Sequence, residues 1–232
     1  MTNEPNSSLN FAAAQKLAGC YLLERALDAS GGNPIWIAQD EVLGKTVSLH
    51  FLPPAITRDV AAIEELRQEV KRNRPLIHPG VLRVYDLVEG ADWTAVAMEA
   101  FEGRSLAAEL AKTKRFEVEE VEAWLDQICV ALEEAHRLKL THRDLAPDNV
   151  FITSAGRLLV ANFGISRIVQ NSLAKAQPAE LDAAHWSTLS PQLLDGAAPS
   201  PTDDVYGVGA LFFHLLAGRP VFEGADIREK IR

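Results

Sequence analysis

Short apolar runs alternate with turn residues through the first hundred positions of the chain. "YLLERAL" (21–27), "IWIAQD" (35–40) and "TVSLHFL" (46–52) are separated by "DASGGNP" and "EVLGK", which carry the Gly, Pro, Asn and Asp of turns. The pattern predicts three antiparallel strands. "RDVAAIEELRQEVKRN" (58–73) then places Ile63, Leu66 and Val70 on one face of a helix. "VLRVYDLVEG" and "WTAVAMEA" read as two more strands. Residues 1–18, polar and then Ala-rich, read as a flexible lead-in or a short helix.

After Gly103 the period lengthens. "VEEVEAWLDQICVALEEAHRL" sets Val121, Trp124, Leu125, Ile128, Leu132 and Ala135 at helical spacing. "NVFIT" and "RLLVANF" form a short hairpin around "SAG", and residues 165–190, without a clear period, read as a long loop. "SPTDDVYGVGALFFHLLAG" (200–218) predicts a buried helix, with Ser200 or Thr202 as N-cap and Gly218 at its end. A β-rich lobe over about 19–99 is expected, then a connection over about 99–104 and a helical lobe from about 105 to 232.

Composition narrows the class. Of 232 residues, 47% are hydrophobic and 24% charged, which is a globular balance. A net charge of −9 argues against nucleic acid or an anionic membrane surface as partner. Cys20 and Cys129 are the only cysteines, too few for a disulfide framework or a zinc site. The N-terminus lacks the basic and apolar regions of a signal peptide, and the 205–218 run is too short to span a bilayer. A cytoplasmic location is expected, or the cytoplasmic part of a longer, membrane-anchored protein.

The candidate chemistry begins at "THRDLAPDNVFIT" (141–153). It resembles the catalytic loop H-R-D-x-x-x-x-N of eukaryotic-type Ser/Thr protein kinases, of the kind also found in bacteria. Other stretches fall in register with that family. "NFG" (162–164) stands where D-F-G belongs, "VSLH" (47–50) at V-A-I-K, and Glu69 at the conserved helix glutamate. Met98 and Glu99 look like the gatekeeper and the start of the hinge, "SPQ" (190–192) like A-P-E, and "DVYGVG" (204–209) like the start of the central helix. The resemblance runs from Tyr21 to about Phe222. It implies an α+β, bilobal protein-kinase-like fold whose C-lobe stops after the central helix.

Several functional positions depart from the family pattern. Asp28, Ser30 and Asn33 replace the three glycines of the phosphate-covering loop, so backbone and phosphate lose their close approach. His50 replaces the phosphate-gripping Lys. It either pairs with Glu69, which would favour imidazolium, or packs as a strand His. Asn162 replaces the metal-binding Asp, and an amide oxygen is a weaker ligand for a hard dication. Ala146 replaces a Lys near the transferred phosphoryl group. Asp144 and Asn149, the catalytic residues by resemblance, are retained. His142, Arg143, Phe163, Gly164 and Asp204 are retained as frame, with Asp204 expected to tie down the catalytic loop and Asp144 expected nearer the surface. The pocket would be lined by Ile35, Ser48, Met98, Glu99, Phe101 and Phe151. The Phe151 ring either fills adenine's volume or turns into the lower core.

Losing one positioned charge at a transition state costs about 2.7–4 kcal/mol, and here the losses coincide. The expected function is therefore a pseudokinase, a signalling scaffold that engages protein partners. No cofactor is expected, and ATP with Mg²⁺ is not expected to bind. The other readings are weak or atypical phosphotransfer through Asp144 and Asn149, and nucleotide sensing without turnover. Gln192 replaces a Glu whose Arg partner lies in the region after the central helix, as suits a lobe that is shortened or a chain that is trimmed. Uncovered apolar surface on that lobe would favour self-association.

Overall fold

Strand β4 (Lys45–Phe51) shows how the N-terminal lobe is assembled. Successive side chains of a strand point to opposite faces. Val47, Leu49 and Phe51 enter an outer cluster with Leu23 and Ala97, while Ser48 and His50 turn toward the other face. The computed structural model describes residues 11–28, 34–176 and 183–223. A six-stranded sheet of order β1-β2-β3-β4-β6-β5 is built from Lys16–Leu17, Tyr21–Asp28, Ile35–Asp40, Lys45–Phe51, Thr94–Glu99 (β6) and Val84–Glu89 (β5). The three strands predicted from "YLLERAL", "IWIAQD" and "TVSLHFL" pair antiparallel in sequence order.

The described part of the lead-in, from residue 11, lies against the sheet. Ala14 N donates to the Leu23 carbonyl (2.7 Å), and Phe11 packs 4.2 Å from the Phe51 ring. Phe11 and Leu17 together supply the apolar contact that holds this segment to the sheet.

Helix α1 (Pro54–Thr57) leads into α2 (Val60–Asn73). Asp59 caps α2 by accepting from Ala62 N (3.1 Å), and Ile63, Leu66 and Val70 bury the face that their spacing predicts. They pack under the sheet with Val84, Val96 and Met98.

Strands β7 (Gly103–Ser105), β8 (Val150–Thr153) and β9 (Leu158–Val160) form a small second sheet below the first. Helix α3 (Leu106–Thr113) follows β7 with Ser105 as its cap, and α4 (Val118–Arg137) buries Val121, Trp124, Ile128, Leu132 and Ala135. Helix α8 (Pro201–Ala217) starts on a Ser200/Asp203 capping box and ends at Gly218, whose left-handed φ of 71° closes the last turn. Leu211 and Leu215 join the α4 core, but Val205, Phe213 and Leu216 face outward. The helix is thus buried on one side, not all round.

The long loop expected at 165–190 contains two helices, and a third follows it. They are α5 (Ile165–Ala176), α6 (Ala183–Ser187) and, just past its end, α7 (Pro191–Leu194). Ile165, Ile168, Val169 and Ser172 of α5 are buried under α2 and α1, at helical spacing that the intervening polar residues obscure. No helix among the described residues is long and apolar enough to cross a membrane.

Candidate functional site

The loop between α4 and β8 is held from below. Asp204, at the start of α8, accepts from the backbone N–H groups of His142 (2.8 Å) and Arg143 (2.9 Å) and lies 2.7 Å from His136 Nε2. Arg143 adopts φ 66°, so a loop forced into left-handed geometry is fastened at that point. His142 is fully buried. Its Nε2 meets the Ala161 carbonyl (2.8 Å) and its Nδ1 accepts from Asp144 N (3.2 Å), so the ring is a neutral, fixed spacer. Burial lowers its pKa against the pull of Asp204 and Asp144.

The expected frame residues meet as a unit. Phe163 is buried against His142, with ring centroids 4.8 Å apart. Gly164, at φ 68°, lies so close to the ion pair beneath it that an added Cβ would sit 2.0 Å from Arg143 Nη2 and 2.2 Å from Glu69 Oε1. Only glycine fits there. Asn73, a residue that sequence reasoning missed, donates to the Phe163 carbonyl (3.0 Å) and to Glu69 O (2.8 Å), tying α2 to this turn.

Glu69 does not pair with His50. Its carboxylate, 4% exposed, takes Arg143 at 2.5 Å and Arg72 at 3.2 Å. His50 instead shares its Nε2 with the Ser48 hydroxyl (3.1 Å). Burial pushes the His50 pKa down to about 4, so no imidazolium forms near neutral pH. Of the two alternatives, the packed strand His is the one found: the guanidinium is a permanent cation and out-competes a desolvated imidazole for the same carboxylate.

Asp144 is 1% exposed, contrary to the expectation of a near-surface position. Ser166 Oγ donates to its Oδ2 at 2.6 Å, and His185 Nδ1 lies 2.8 Å from the same oxygen. The Thr188 hydroxyl, 3.3 Å from Oδ1, is shared with the His185 carbonyl (2.8 Å). Burial alone would raise the Asp144 pKa, but His185 and Ser166 outweigh it and hold the carboxyl below its usual range. Ser166, His185 and Thr188 lie in the segment read as loop. "AHWST" offered no periodicity to mark them.

Asn149 donates to the Asp144 carbonyl (2.8 Å), and its Oδ1 accepts from Asn162 Nδ2 (2.9 Å). One hydrogen bond thus joins the two amides across the position between loop and "NFG" turn. Asn162 also has a left-handed φ of 66°, a conformation that Asn tolerates well. Ala146 is fully buried and brings no charge. Among the described residues no group of three or more His, Cys, Asp or Glu converges as a metal site.

A cavity of about 560 Å³ lies between the lobes. Of the expected lining residues, Ile35, Phe101 and Phe151 border it; Ser48, Met98 and Glu99 do not. The Phe101 and Phe151 rings, 4.8 Å apart and edge to face, end the cavity on the hinge side. Behind them Ser48 donates to the Glu99 carbonyl (2.9 Å), so that hinge acceptor is already used. Phe151 thus turns into the cleft's apolar wall, where it also meets His50 edge-on at 6.3 Å. Gln192 is exposed on α7. Ser30 and Asn33 lie outside the described residues, and of Asp28 only the strand backbone is described.

The protein kinase domain model matches residues 43–232. The chain is 31% identical over 213 residues to serine/threonine-protein kinase PknA of Mycobacterium tuberculosis, covering 90% of this chain and 49% of that protein. It is 28% identical over 210 residues to PrkC of Bacillus subtilis, covering 90% of this chain and 32% of that one. The chain therefore spans 32% to 49% of these relatives' length. Among solved structures, the PknI kinase domain of M. tuberculosis superposes with a TM-score of 0.75 at 28% identity, over 92% of this chain and 78% of that one.

Proposed function

The chain belongs to the protein kinase domain family, and from that premise we propose that it works as a non-catalytic member, a signalling module that binds protein. The pairing of Asn162 with Asn149 carries this reading. The Asn149 oxygen that would face a metal already accepts one amide N–H, and the partner residue offers a neutral amide where a carboxylate would be needed. The residues present therefore suit Mg²⁺–nucleotide poorly. Neutral His50 in the deep cleft and the engaged carboxylate of Asp144 support the same conclusion. The negative net charge favours protein over nucleic acid as partner.

A second reading, a Ser/Thr kinase with weak or atypical phosphotransfer, draws on the similarity to PknA and PrkC and on the retention of Asp144 and Asn149. Transfer of radiolabelled γ-phosphate to generic basic proteins and to the chain itself, with Mg²⁺ or Mn²⁺, separates the two. The proposal expects incorporation no higher than in the Asp144→Asn variant. Labelling that disappears in that variant establishes the kinase instead.

A further inference from the structure

Helix α5 is anchored once in each lobe. Near its start, Ser166 Oγ donates to Asp144 Oδ2, in the loop between α4 and β8 (2.6 Å). Near its end, Ser172 Oγ donates to Asp59 Oδ2, at the cap of α2 (2.6 Å). Both serines are buried, and both acceptors are carboxylates, which make hydrogen bonds of the stronger class.

The spacing of the two serines suits a bridge. Six residues along an α-helix are about 9 Å of length and about 120° of rotation. The hydroxyls therefore leave the helix on different sides. Ser172 falls on the face of Ile165, Ile168 and Val169, which pack with Ile56, Ile63 and Leu66 of α1 and α2. Ser166 leaves beside that face, toward the lower lobe. Ile168, fully covered, sits between the two bonds. A stiff helix cannot swing one end away without drawing this side chain from its seat, so the two ends open as a unit.

Asp59 extends the coupling into α2. Its Oδ1 accepts from Ala62 N (3.1 Å) while its Oδ2 holds Ser172, so the carboxylate that starts α2 also seats α5. With α5 detached, Asp144 keeps His185 and Thr188, and Glu69 keeps Arg143 across the lobes. Detachment therefore loosens the lobes without parting them, and it bares the stripe of Ile165, Ile168 and Val169.

We propose that α5 is a two-ended clasp between the lobes. With both serines seated on their carboxylates the lobes are held in one arrangement. With both released, the lobes move about the connection between them and an apolar surface is bared. The inference holds whether or not the domain transfers phosphate.

Interlobe distance and hydrogen exchange test it together. Cys129 is exposed on α4, and Val42 is 77% exposed on the turn between β3 and β4. Spin labels on Cys129 and on Val42→Cys, in a chain that also carries Cys20→Ser, report the separation of the lobes by double electron–electron resonance. With both serines present a single narrow distance distribution is expected. Ser166→Ala with Ser172→Ala is expected to broaden it or to add a second population. In the same double variant, amide exchange over 165–176 is expected to quicken about tenfold to a hundredfold, the worth of a hydrogen bond to a charged group, while α4 stays as it was. Ser172→Ala alone is expected to quicken exchange through the whole helix, the Ser166 end included, whereas a merely local bond would loosen only its own turn. If the double variant does not fold, the two single variants decide by the same readings. A broad distribution before any serine is changed, an equally narrow one in the folded variants, or exchange that quickens only within a turn of each substituted serine overturns the inference.

Discussion

His50 and Asp204 are both buried polar residues, and they respond to perturbation in opposite ways. An imidazole with a folded pKa of about 4, below its unfolded value of about 6.5, takes up its proton first in the unfolded chain. Stability is thus lost as pH falls from about 6.5 to about 4, by an amount on the order of 3 kcal/mol from this group. Urea midpoints at neutral pH and near pH 4.5 should show this decline, and His50→Phe should flatten it. His142 and Asp144, whose pKa values also lie below their ordinary ones, contribute to the remaining slope. Asp204→Ala acts at every pH. It strips the acceptor from two backbone N–H groups, at about 1–3 kcal/mol for each buried donor left unpaired. A lower urea midpoint at unchanged slope is expected. Asp144 holds side chains, not backbone, so Asp144→Asn should cost less than Asp204→Ala in the same measurement.

At the scale of elements, alternation and helical spacing marked β2 to β6, α2, α4 and α8, since each has a continuous apolar face to bury. Helix α5 escaped because its buried stripe includes Ser172 and is interleaved with Arg167, Gln170 and Asn171. A polar residue can occupy that face because Asp59 receives the Ser172 hydroxyl at 2.6 Å, a contact across more than a hundred residues that no local window contains. The motif positions were legible one by one, but their partners were not. Glu69 was visible as an ion-pair residue; that Arg143 and not His50 answers it depends on the burial of the imidazole. His185 and Ser166 carried no local signal at all. Ile168, 2% exposed beneath α2, tests whether α5 is integral to the fold. Ile168→Ala is expected to cost about 2–5 kcal/mol. Hydrogen exchange should then quicken over 165–176 before it quickens in α4.

The whole molecule encloses its cleft with groups from both lobes, so restoring function there requires changes on both sides. The double substitution His50→Lys with Asn162→Asp returns charge to the cleft but leaves the Phe101–Phe151 wall in place. Thermal-shift titration with ATP and Mg²⁺ should show no response in this variant. Adding Phe151→Leu opens the hinge side, and a ligand-dependent rise in melting temperature is expected only then. A response from the double variant would mean that charge alone had barred the nucleotide.

The left-handed backbone at Asn162 has a bearing on inheritance. Most L-residues are penalised in that conformation, while Gly, Asn and Asp are spared. Such a position filters which genetic changes survive: exchange between Asn and Asp needs one nucleotide and leaves the chain's path unaltered. Lineages could therefore cross between a charged and an uncharged residue here without first losing the fold. The crossing is as cheap in reverse, and natural variants of this domain become a place to look for chains in which the carboxylate has returned.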